Sequence, residues 1–276
     1  LGVALDADQS GAPLFTLSPL TSSLDEGNHM NAKVWLVGAG PGDPELLTLK
    51  AVRAMNTADV VLIDDLVNPA VLEHCAAARV ITVGKRGGCR STPQDFIHRL
   101  MLRYARQGKC VVRLKGGDPC IFGRGGEEAA WLRERGVEVE LVNGITAGLA
   151  GATNCAIPLT LRGVSRGVTL VTAHTQDDSS LNWRALAEGG TTLVIYMGVA
   201  KLEELRQQLL EGGMAADMPV AMIENASLPQ QRECRSNLSR MQDDALAFAL
   251  KSPAILVIGS VAAISQATHV AVAASA

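Results

Sequence analysis

From residue 33 onward, short runs rich in β-branched residues alternate with segments of helical periodicity, and this alternation constrains the fold more than any other feature. The strand-like runs of the first half are KVWLVGAG, DVVLIDD, RVITVGK, CVVRLKGG and VEVELVNG. Helical segments such as PELLTLKAVRAMNTA and TPQDFIHRLMLRYARQG lie between them. This order predicts an α/β fold with a mostly parallel five-stranded sheet that helices cover on both faces.

A second series of strand-like runs follows after about residue 144. Its runs are GVTLVTAHT, TTLVIYMG, PVAMIENAS, ECRSNLS and PAILVIGS, with helices at NWRALAEG and AKLEELRQQLLEGG. The run RECRSNLSRM alternates like an antiparallel strand, which predicts a mixed second sheet. We therefore predict two α/β domains with the active site in the cleft between them. The predicted segments are a leader or flexible arm (1–32), an N-terminal domain (33–143), a C-terminal domain (144–264) and a tail (265–276).

Two dipeptides predict the starts of helices. Asp43 precedes Pro44, and Thr92 precedes Pro93. A short polar residue followed by proline is typical of an N-cap and the first helical position.

The composition argues against several functional classes. The 276 residues are 47% hydrophobic, which is enough for a large core. The net charge of −3 and the 3% of aromatic residues favour neither nucleic acid nor base stacking as a partner. No apolar run approaches the roughly 20 residues that span a membrane, and residues 1–30 do not resemble a secretory signal. We expect no nucleic acid and no membrane as partners.

Six cysteines are scattered along the chain without CxxC or zinc-finger spacing. The pattern predicts reduced thiols in a cytoplasmic protein and no metal site.

The first glycine-rich loop, VGAGPGDPELL, begins like a dinucleotide-binding fingerprint. Gly38 and Gly40 occupy the first two glycine positions, and an acid, Asp64 or Asp65, ends the next strand-like run. The third glycine position holds Asp43, whose carboxylate would lie where a pyrophosphate binds. Asp43 therefore suits a helix cap better than a phosphate site. An NAD(P)-dependent oxidoreductase stays open as an alternative function.

The second glycine-rich loop lies within VVRLKGGDPCIFGRGGEEAAWL, residues 111–132. It lacks the GxxxxGK[ST] pattern of a phosphate-binding loop, and Asp118 lies in its turn. An acid beside exposed backbone groups favours a ligand such as an adenosine with a cationic amino-acid tail. Arg124 and Glu127 are three residues apart and can share a helix face. A guanidinium can bind a substrate carboxylate in bidentate fashion, and Arg162 is a candidate for a second anchor of this kind.

Taken together, the motifs resemble the tetrapyrrole methylases over residues 33–264. The resemblance is carried by VGAGPGDPELLTLKA, DVVLIDDLV, VGKRGG, VVRLKGGDPCIFGRGGEE, NGITAG, IPLTLRG, VIYMG, MPVAMIENAS and SPAILVIG. It implies a homodimer of two-domain chains that use S-adenosylmethionine to methylate uroporphyrinogen III at C2 and C7. The implied products are precorrin-2, formed by way of precorrin-1, and S-adenosylhomocysteine. Precorrin-2 leads to siroheme, cobalamin and haem d1. A relative that only binds a ligand or partner is the other alternative.

The resemblance also implies roles for single residues. It assigns acid/base roles to Asp64 and Lys85 and substrate contacts to Arg124, Glu127 and Arg162, with Arg124 also catalytic. The implied cofactor contacts all lie in loops of small residues, and they are Pro41, Gly116, Gly117, Asp118, Ile121, Thr146, Ala147, Met197, Ala226 and Ala254.

The implied chemistry agrees with these residue types. An electron-rich pyrrole carbon can attack a sulfonium methyl group directly, so neither a metal nor a protein nucleophile is required. The carboxylates of the macrocycle explain the arginines. After methylation a proton must leave, and Asp64 is a candidate acceptor. Arg124 stays protonated in proteins, so we expect it to orient the substrate and to stabilise charge.

Overall fold

The structure is a computed structural model that describes residues 33–84, 92–174 and 181–264. The predicted leader, the predicted tail and Lys85 lie outside the described residues. The predicted division into domains at residues 143 and 144 stays a prediction.

The first sheet is entirely parallel and has the strand order β3-β2-β4-β1-β5. Its strands are β1 (Lys33–Gly38), β2 (Val60–Ile63), β3 (Arg79–Thr82), β4 (Val111–Lys115) and β5 (Glu138–Val142). The four residues of β2 and the five of β4 are all buried, as expected for strands that are covered on both faces. The predicted parallel sheet is confirmed, and all five carboxyl ends meet at one edge.

Helices and apolar cores cover both faces of this sheet. The helices are α1 (Leu49–Asn56), α2 (Gln94–Ala105) and α3 (Gly125–Arg133), with 3-10 helices at Pro44–Leu46 and Pro69–Cys75. On one face Leu114 packs in a core with Met55 of α1. On the other face Leu36 packs in a core with Met101 of α2 and Leu132 of α3. Because successive side chains of a strand point to opposite faces of the sheet, they pack into opposite cores.

The two predicted helix starts differ in outcome. Asp43 is an N-cap, and its carboxylate accepts a hydrogen bond from the backbone N–H of Glu45 at 2.9 Å. The helix it starts is a single 3-10 turn, and α1 begins separately after its own cap, Thr48. The prediction for Thr92 is wrong by one residue, because Pro93 itself is the N-cap of α2. The backbone of Pro93 is extended, so the helix begins only after it.

The second sheet is mixed, with the strand order β6-β7-β10-β8-β9. Its strands are β6 (Val168–Thr172), β7 (Thr192–Tyr196), β8 (Pro219–Glu224), β9 (Arg232–Asn237) and β10 (Ala254–Ile258). β6 and β7 are parallel, whereas β10 is antiparallel to both β7 and β8, and β9 is antiparallel to β8. The prediction of an antiparallel strand in a mixed sheet is confirmed. The carboxyl ends of β7 and β8 and the amino end of β10 therefore share one edge.

Four helices accompany the second sheet: α4 (Ala147–Asn154), α5 (Trp183–Glu188), α6 (Leu202–Glu211) and α7 (Met241–Phe248). Leu205 and Leu209 of α6 pack with Met241 of α7 on one face. Ala152 of α4 packs with Val194 and Ile223 on the other face. Within the described ranges, no helix has the length and apolar character needed to cross a bilayer.

The backbones of Gly38, Gly117 and Gly144 approach one another closely at the edge of the first sheet. A Cβ atom on Gly38 would lie 2.5 Å from the N atom of Gly144 and 2.6 Å from the O atom of Gly117. A Cβ atom on Gly144 would overlap the same Gly117 oxygen. Because these neighbours are backbone atoms, they cannot rotate away. Glycine is therefore required for the loops after β1, β4 and β5 to lie together.

We predict that Gly144→Ala lowers the free energy of unfolding by about 2 kcal/mol or more, because the added methyl group forces the loops apart. Chemical denaturation of purified protein measures the change. The matched control is Gly126→Ala in α3, where an added Cβ meets nothing within 4 Å. There alanine should be neutral or stabilise the helix by up to about 1 kcal/mol. Equal stability of the two variants would contradict the packing argument.

Candidate active site

Backbone hydrogen bonds join the two glycine-rich loops of the first sheet. Gly117 N–H donates to Gly40 O at 2.7 Å, and Gly40 N–H donates to Gly117 O at 3.2 Å. Pro41 lies just beyond this pairing, and Gly116 contacts the side chain of Leu66. Three of the predicted cofactor residues, Pro41, Gly116 and Gly117, therefore lie next to one another.

Asp118 connects the second loop to the loop after β5. The buried carboxylate accepts hydrogen bonds from Cys120 N–H at 2.8 Å and from Gly144 N–H at 3.0 Å. The side-chain amide of Asn143 donates to it at 3.5 Å. Both oxygens are thus used to hold backbone together. Sequence reasoning placed this carboxylate beside a cationic ligand, whereas its described partners are all neutral donors of the protein.

The first loop also contacts the segment after β8. The backbone N–H of Asp43 donates to the hydroxyl of Ser227 at 3.0 Å. Gly42 lies against the side chain of Leu228, and a Cβ on Gly42 would approach it to 2.7 Å. These contacts bring the edge of the second sheet to the loops of the first.

Tyr196, at the end of β7, makes a second connection between the sheets. Its buried hydroxyl lies 2.8 Å from Thr146 Oγ1 and accepts from Gly148 N–H at 3.0 Å. Burial raises the pKa of Tyr196, so the phenol stays neutral and can both donate and accept. Its ring also contacts Phe122 of the second loop, with the ring centroids 4.9 Å apart. Tyr196 therefore fixes the start of α4, including Thr146 and Ala147, against the second loop.

The remaining predicted cofactor residues lie at the ends of strands that enter this region. Met197 follows β7 and is 50% exposed, whereas Ala226 and Ala254 are buried, with exposed fractions of 7% and 9%. The loops of these two alanines are joined by the hydrogen bond from Asn225 N–H to Pro253 O at 3.0 Å. The Cβ of Ala226 lies against Gly151 of α4, where an added Cβ would approach it to 3.1 Å. Ile121 packs against the core beneath these loops.

Residues other than glycine with positive φ are concentrated in these loops. Of the seven in the part of the chain that the structure describes, five lie here, and they are Phe122, Arg124, Met197, Asn225 and Ser227. Their φ angles of 53° to 65° lie in the left-handed region. Such strain is typical of functional sites, because surrounding contacts must hold the backbone in place.

Arg124 and Glu127 form a bidentate ion pair at the amino end of α3. Arg124 Nε and Nη2 donate to Glu127 Oε2 at 3.1 and 2.7 Å. The hydrogen bonds that Arg124 donates to Glu127 raise the pKa of Arg124 and lower the pKa of Glu127. Arg124 therefore stays a cation, and 42% of its side chain is exposed to receive an anion. The predicted proximity of the two residues is confirmed, with Arg124 as the N-cap rather than a residue within the helix.

The residues predicted for acid/base and substrate roles lie at different places. Asp64 directly follows β2, and its carboxylate is 2.5 Å from Arg113 Nη2. Asp65 lies instead against Gly84. Arg162 is exposed in the turn between Leu161 and Ser165, and among the described contacts none connects it to the loops. Lys85 lies outside the described residues. Asp64 thus pairs with Arg113 of β4, and Arg162 directly follows Leu161, which packs against the same core as Ile121 and Ala147.

Sequence reasoning did not single out a buried charged cluster beneath Asp64. Arg113 and Lys115 of β4 lie beside Glu128 of α3, and all three side chains are at most 6% exposed. Burial lowers the pKa of Lys115, and Arg113 lowers it further, whereas Glu128 acts in the opposite direction. The signal in the sequence was two basic residues, two apart, in an otherwise apolar strand. Where residues are described, no group of three or more His, Cys, Asp or Glu side chains is placed to hold a metal ion.

The arrangement combines exposed loop backbone, apolar side chains and one fixed cation. The loop backbones and the side chains of Ile121 and Met197 suit an adenosyl group with an amino-acid tail. Arg124 suits a carboxylate, and Asp64 can accept a proton. Such a site can hold a methyl donor next to an anionic acceptor.

Comparison with known proteins gives the same chemistry. The model of the tetrapyrrole (corrin/porphyrin) methylases matches residues 33–242. The uroporphyrinogen-III C-methyltransferase of Pseudomonas fluorescens is 83% identical over 247 residues, which are 90% of this chain and 100% of the relative. That of Pseudomonas aeruginosa is 75% identical over 232 residues, 84% of this chain and 95% of the relative.

A solved structure agrees as well. The uroporphyrin-III C-methyltransferase of Thermus thermophilus in complex with S-adenosylhomocysteine is 41% identical, with a TM-score of 0.70. The match covers 83% of this chain and 98% of that one. From the loops, the fold and these relatives, we conclude that the chain belongs to the tetrapyrrole methylase family.

Proposed function

We propose that this chain is a uroporphyrinogen-III C-methyltransferase. It transfers methyl groups from S-adenosylmethionine to C2 and C7 of uroporphyrinogen III, giving precorrin-2 by way of precorrin-1. The observation that carries the proposal is the convergence of the family's glycine-rich loops around the exposed cation Arg124 and the carboxylate of Asp64. The 83% identical relative with the same activity supports it.

The residues present fit S-adenosylmethionine. The loops at Pro41, Gly116 and Gly117 are partly exposed, and residues 38–43 and 116–123 contain no lysine or arginine of the kind that binds phosphate. Thr146 is the N-cap of α4 and Ala147 its first residue, so both lie at the positive end of the helix dipole, which favours the donor's carboxylate. Bound there, the donor supplies an electrophilic sulfonium methyl group. The chain contributes position and water exclusion to the transfer.

Two charged residues then act on the acceptor. Arg124 binds a carboxylate of the macrocycle and orients its ring carbon toward the methyl donor, with Glu127 fixing the direction of the guanidinium. Asp64 accepts the proton that the methylated ring releases. We retain Lys85 and Arg162 as proposed acid/base and substrate residues on the resemblance alone.

Three further features are part of the proposal. The family resemblance supports a homodimer and a product used for siroheme, cobalamin or haem d1. The resemblance and the free cysteines among the described residues support a cytoplasmic location.

Turnover tests the proposal directly. Incubation with S-adenosylmethionine and uroporphyrinogen III should yield the precorrin-2 chromophore and S-adenosylhomocysteine, as measured by absorbance and chromatography. Calorimetry should show binding of S-adenosylhomocysteine and none of NADH. Binding of S-adenosylhomocysteine without turnover would indicate a ligand-binding relative. NADH binding in its place would favour the oxidoreductase alternative.

We predict that Arg124→Lys lowers kcat/KM more than tenfold while the affinity for S-adenosylhomocysteine stays nearly unchanged. Lysine keeps the charge but loses the planar fork that binds a carboxylate through two donors. The matched control is Arg206→Lys, because Arg206 forms a similar bidentate pair with Glu203 three residues away in α6. This control should keep wild-type kinetics. An equal loss of cofactor affinity in Arg124→Lys would place Arg124 at the cofactor instead.

We predict that Asp118→Asn weakens both folding and cofactor binding. The new amide group faces backbone N–H donors, so one donor loses its acceptor at a cost of about 1–3 kcal/mol. Denaturation and calorimetry with S-adenosylhomocysteine measure the two effects, and Asp95→Asn on the exposed side of α2 is the control. A loss of cofactor affinity without a loss of stability would show that the carboxylate contacts the cofactor directly.

A further inference from the structure

A buried cluster of three charged side chains, Arg113, Lys115 and Glu128, lies beneath Asp64. The side chains of Arg113, Lys115 and Glu128 are 2%, 6% and 0% exposed, whereas that of Asp64 is 30% exposed. Charged groups are rarely buried to this extent, because the loss of hydration is compensated only by close partners. The position of the cluster behind the proposed proton acceptor therefore needs an explanation.

Arg113 holds one oxygen of the Asp64 carboxylate in place. Its Nη2 lies 2.5 Å from Asp64 Oδ1. Its Nη1 donates to the backbone carbonyls of Leu62 and Leu114, both at 3.4 Å. The guanidinium is thus anchored to β2 and β4. The other carboxylate oxygen, Oδ2, lies 3.9 Å from Lys115 Nζ, beyond hydrogen-bond distance.

Asp64 and Glu128 together offer two carboxylates to the two buried cations of the cluster. Lys115 Nζ lies 3.1 Å from Glu128, and Arg113 Nε lies 3.5 Å from it. Two buried cations therefore face one fully buried carboxylate, and Asp64 supplies the second negative charge. A protonated Asp64 would leave an uncompensated positive charge in the interior, which is costly.

Stability alone gives no reason for this arrangement. Among the described side chains, Arg113 Nε is a buried donor with no hydrogen-bond partner. A buried ionic network that is only partly hydrogen-bonded is often less stable than an apolar core of the same shape.

We propose that Arg113 and Glu128 are positioning residues that set the charge and orientation of Asp64. Arg113 holds Oδ1 of Asp64 and leaves Oδ2 to accept a proton, and Glu128 offsets the positive charge of Arg113 and Lys115. The role rests on the proposed function. When the methylated, positively charged macrocycle loses its proton, a ring C–H or N–H bond breaks and its electron pair returns to the ring. The proton forms an O–H bond with Asp64.

Other ionisable groups near the cluster contribute to the same electrostatics and stay unchanged in the test. α2 presents Asp95 and His98, and its Gln94 donates to Glu128 Oε1 at 2.7 Å. The amino end of α3 presents Arg124 and Glu127, and Asp65 neighbours Asp64 in the chain. Differences between variants at Arg113 and Glu128 therefore report on those two side chains.

The test compares Arg113→Gln with Glu128→Gln, because the two changes alter the buried charge in opposite directions. Arg113→Gln removes a cation and should move the midpoint of the acid limb of the kcat–pH profile to a pH about one unit higher. Glu128→Gln removes an anion and should move the same midpoint to a lower pH by a similar amount. One unit corresponds to a tenfold change in the ionisation equilibrium. The control is Leu114→Val in the same strand, which removes buried volume on the opposite face and should leave the midpoint unchanged.

A second measurement does not depend on turnover. The carboxyl ¹³C signal of Asp64 in aspartate-labelled protein, assigned by its absence in Asp64→Asn, should titrate with the same opposite shifts. S-adenosylhomocysteine binding verifies that each variant is folded. Opposite shifts in a protein that shows no turnover would support the positioning role and refute the proposed function. Unchanged midpoints, or shifts in the same direction, would overturn the positioning role.

Arg113→Lys is the variant to measure when a glutamine variant does not fold. Lysine keeps the charge but cannot hold Asp64 and the two carbonyls together. Its midpoint should therefore stay within about 0.3 pH units of wild type, while kcat falls at least tenfold. A wild-type kcat would show that the orientation of Asp64 does not depend on the guanidinium.

Discussion

The close approach of Gly38, Gly117 and Gly144 is the constraint on which the candidate site depends. The carboxyl ends of β1, β4 and β5 are neighbours in a parallel sheet, so their loops must share the same small volume. Gly38 and Gly144 must lack a Cβ atom for the three backbones to approach to this distance, and Gly117 has a φ of 67° that favours glycine. Asp118 then connects two of the loops through its carboxylate. The loops after β1 and β4 also bond to each other through the backbones of Gly40 and Gly117.

The second sheet completes the site through a few polar contacts. Tyr196 reaches from β7 to the start of α4, and Ser227 reaches from the end of β8 to the first loop. Left-handed backbone lies at or next to both contacts. Met197 follows Tyr196, and Asn225 and Ser227 lie in the segment after β8. The strain is tolerated because well-packed strands hold the ends of each loop. A site built in this way is rigid before a ligand arrives, which lowers the entropic cost of aligning a methyl donor with its acceptor.

Charge in this region is divided between an exposed layer and a buried layer. The side chains of Arg124 and Glu127 are 42% and 59% exposed, so this ion pair is open to solvent. The side chains of Arg113, Lys115 and Glu128 are shielded from water. Coulomb interactions between them are therefore screened less than at the surface. Asp64 lies at the boundary of the two layers. Its side chain is 30% exposed, and one of its oxygens is held by the buried Arg113.

The sequence by itself determined the fold class, the strands of both sheets, the antiparallel β9 and the approach of Glu127 to Arg124, because these follow from local periodicity and short spacing. It also indicated that Asp43 caps a helix rather than binding phosphate. Tertiary structure alone decided that α2 begins after Pro93, that Asp118 binds loop backbone and that Asp64, rather than Asp65, meets Arg113. It also decided that Arg113 and Glu128, 15 positions apart in the sequence, form one charged cluster. The physical reason is that partners distant in the chain meet only after the strands pair, and no local pattern encodes which buried charges then face one another.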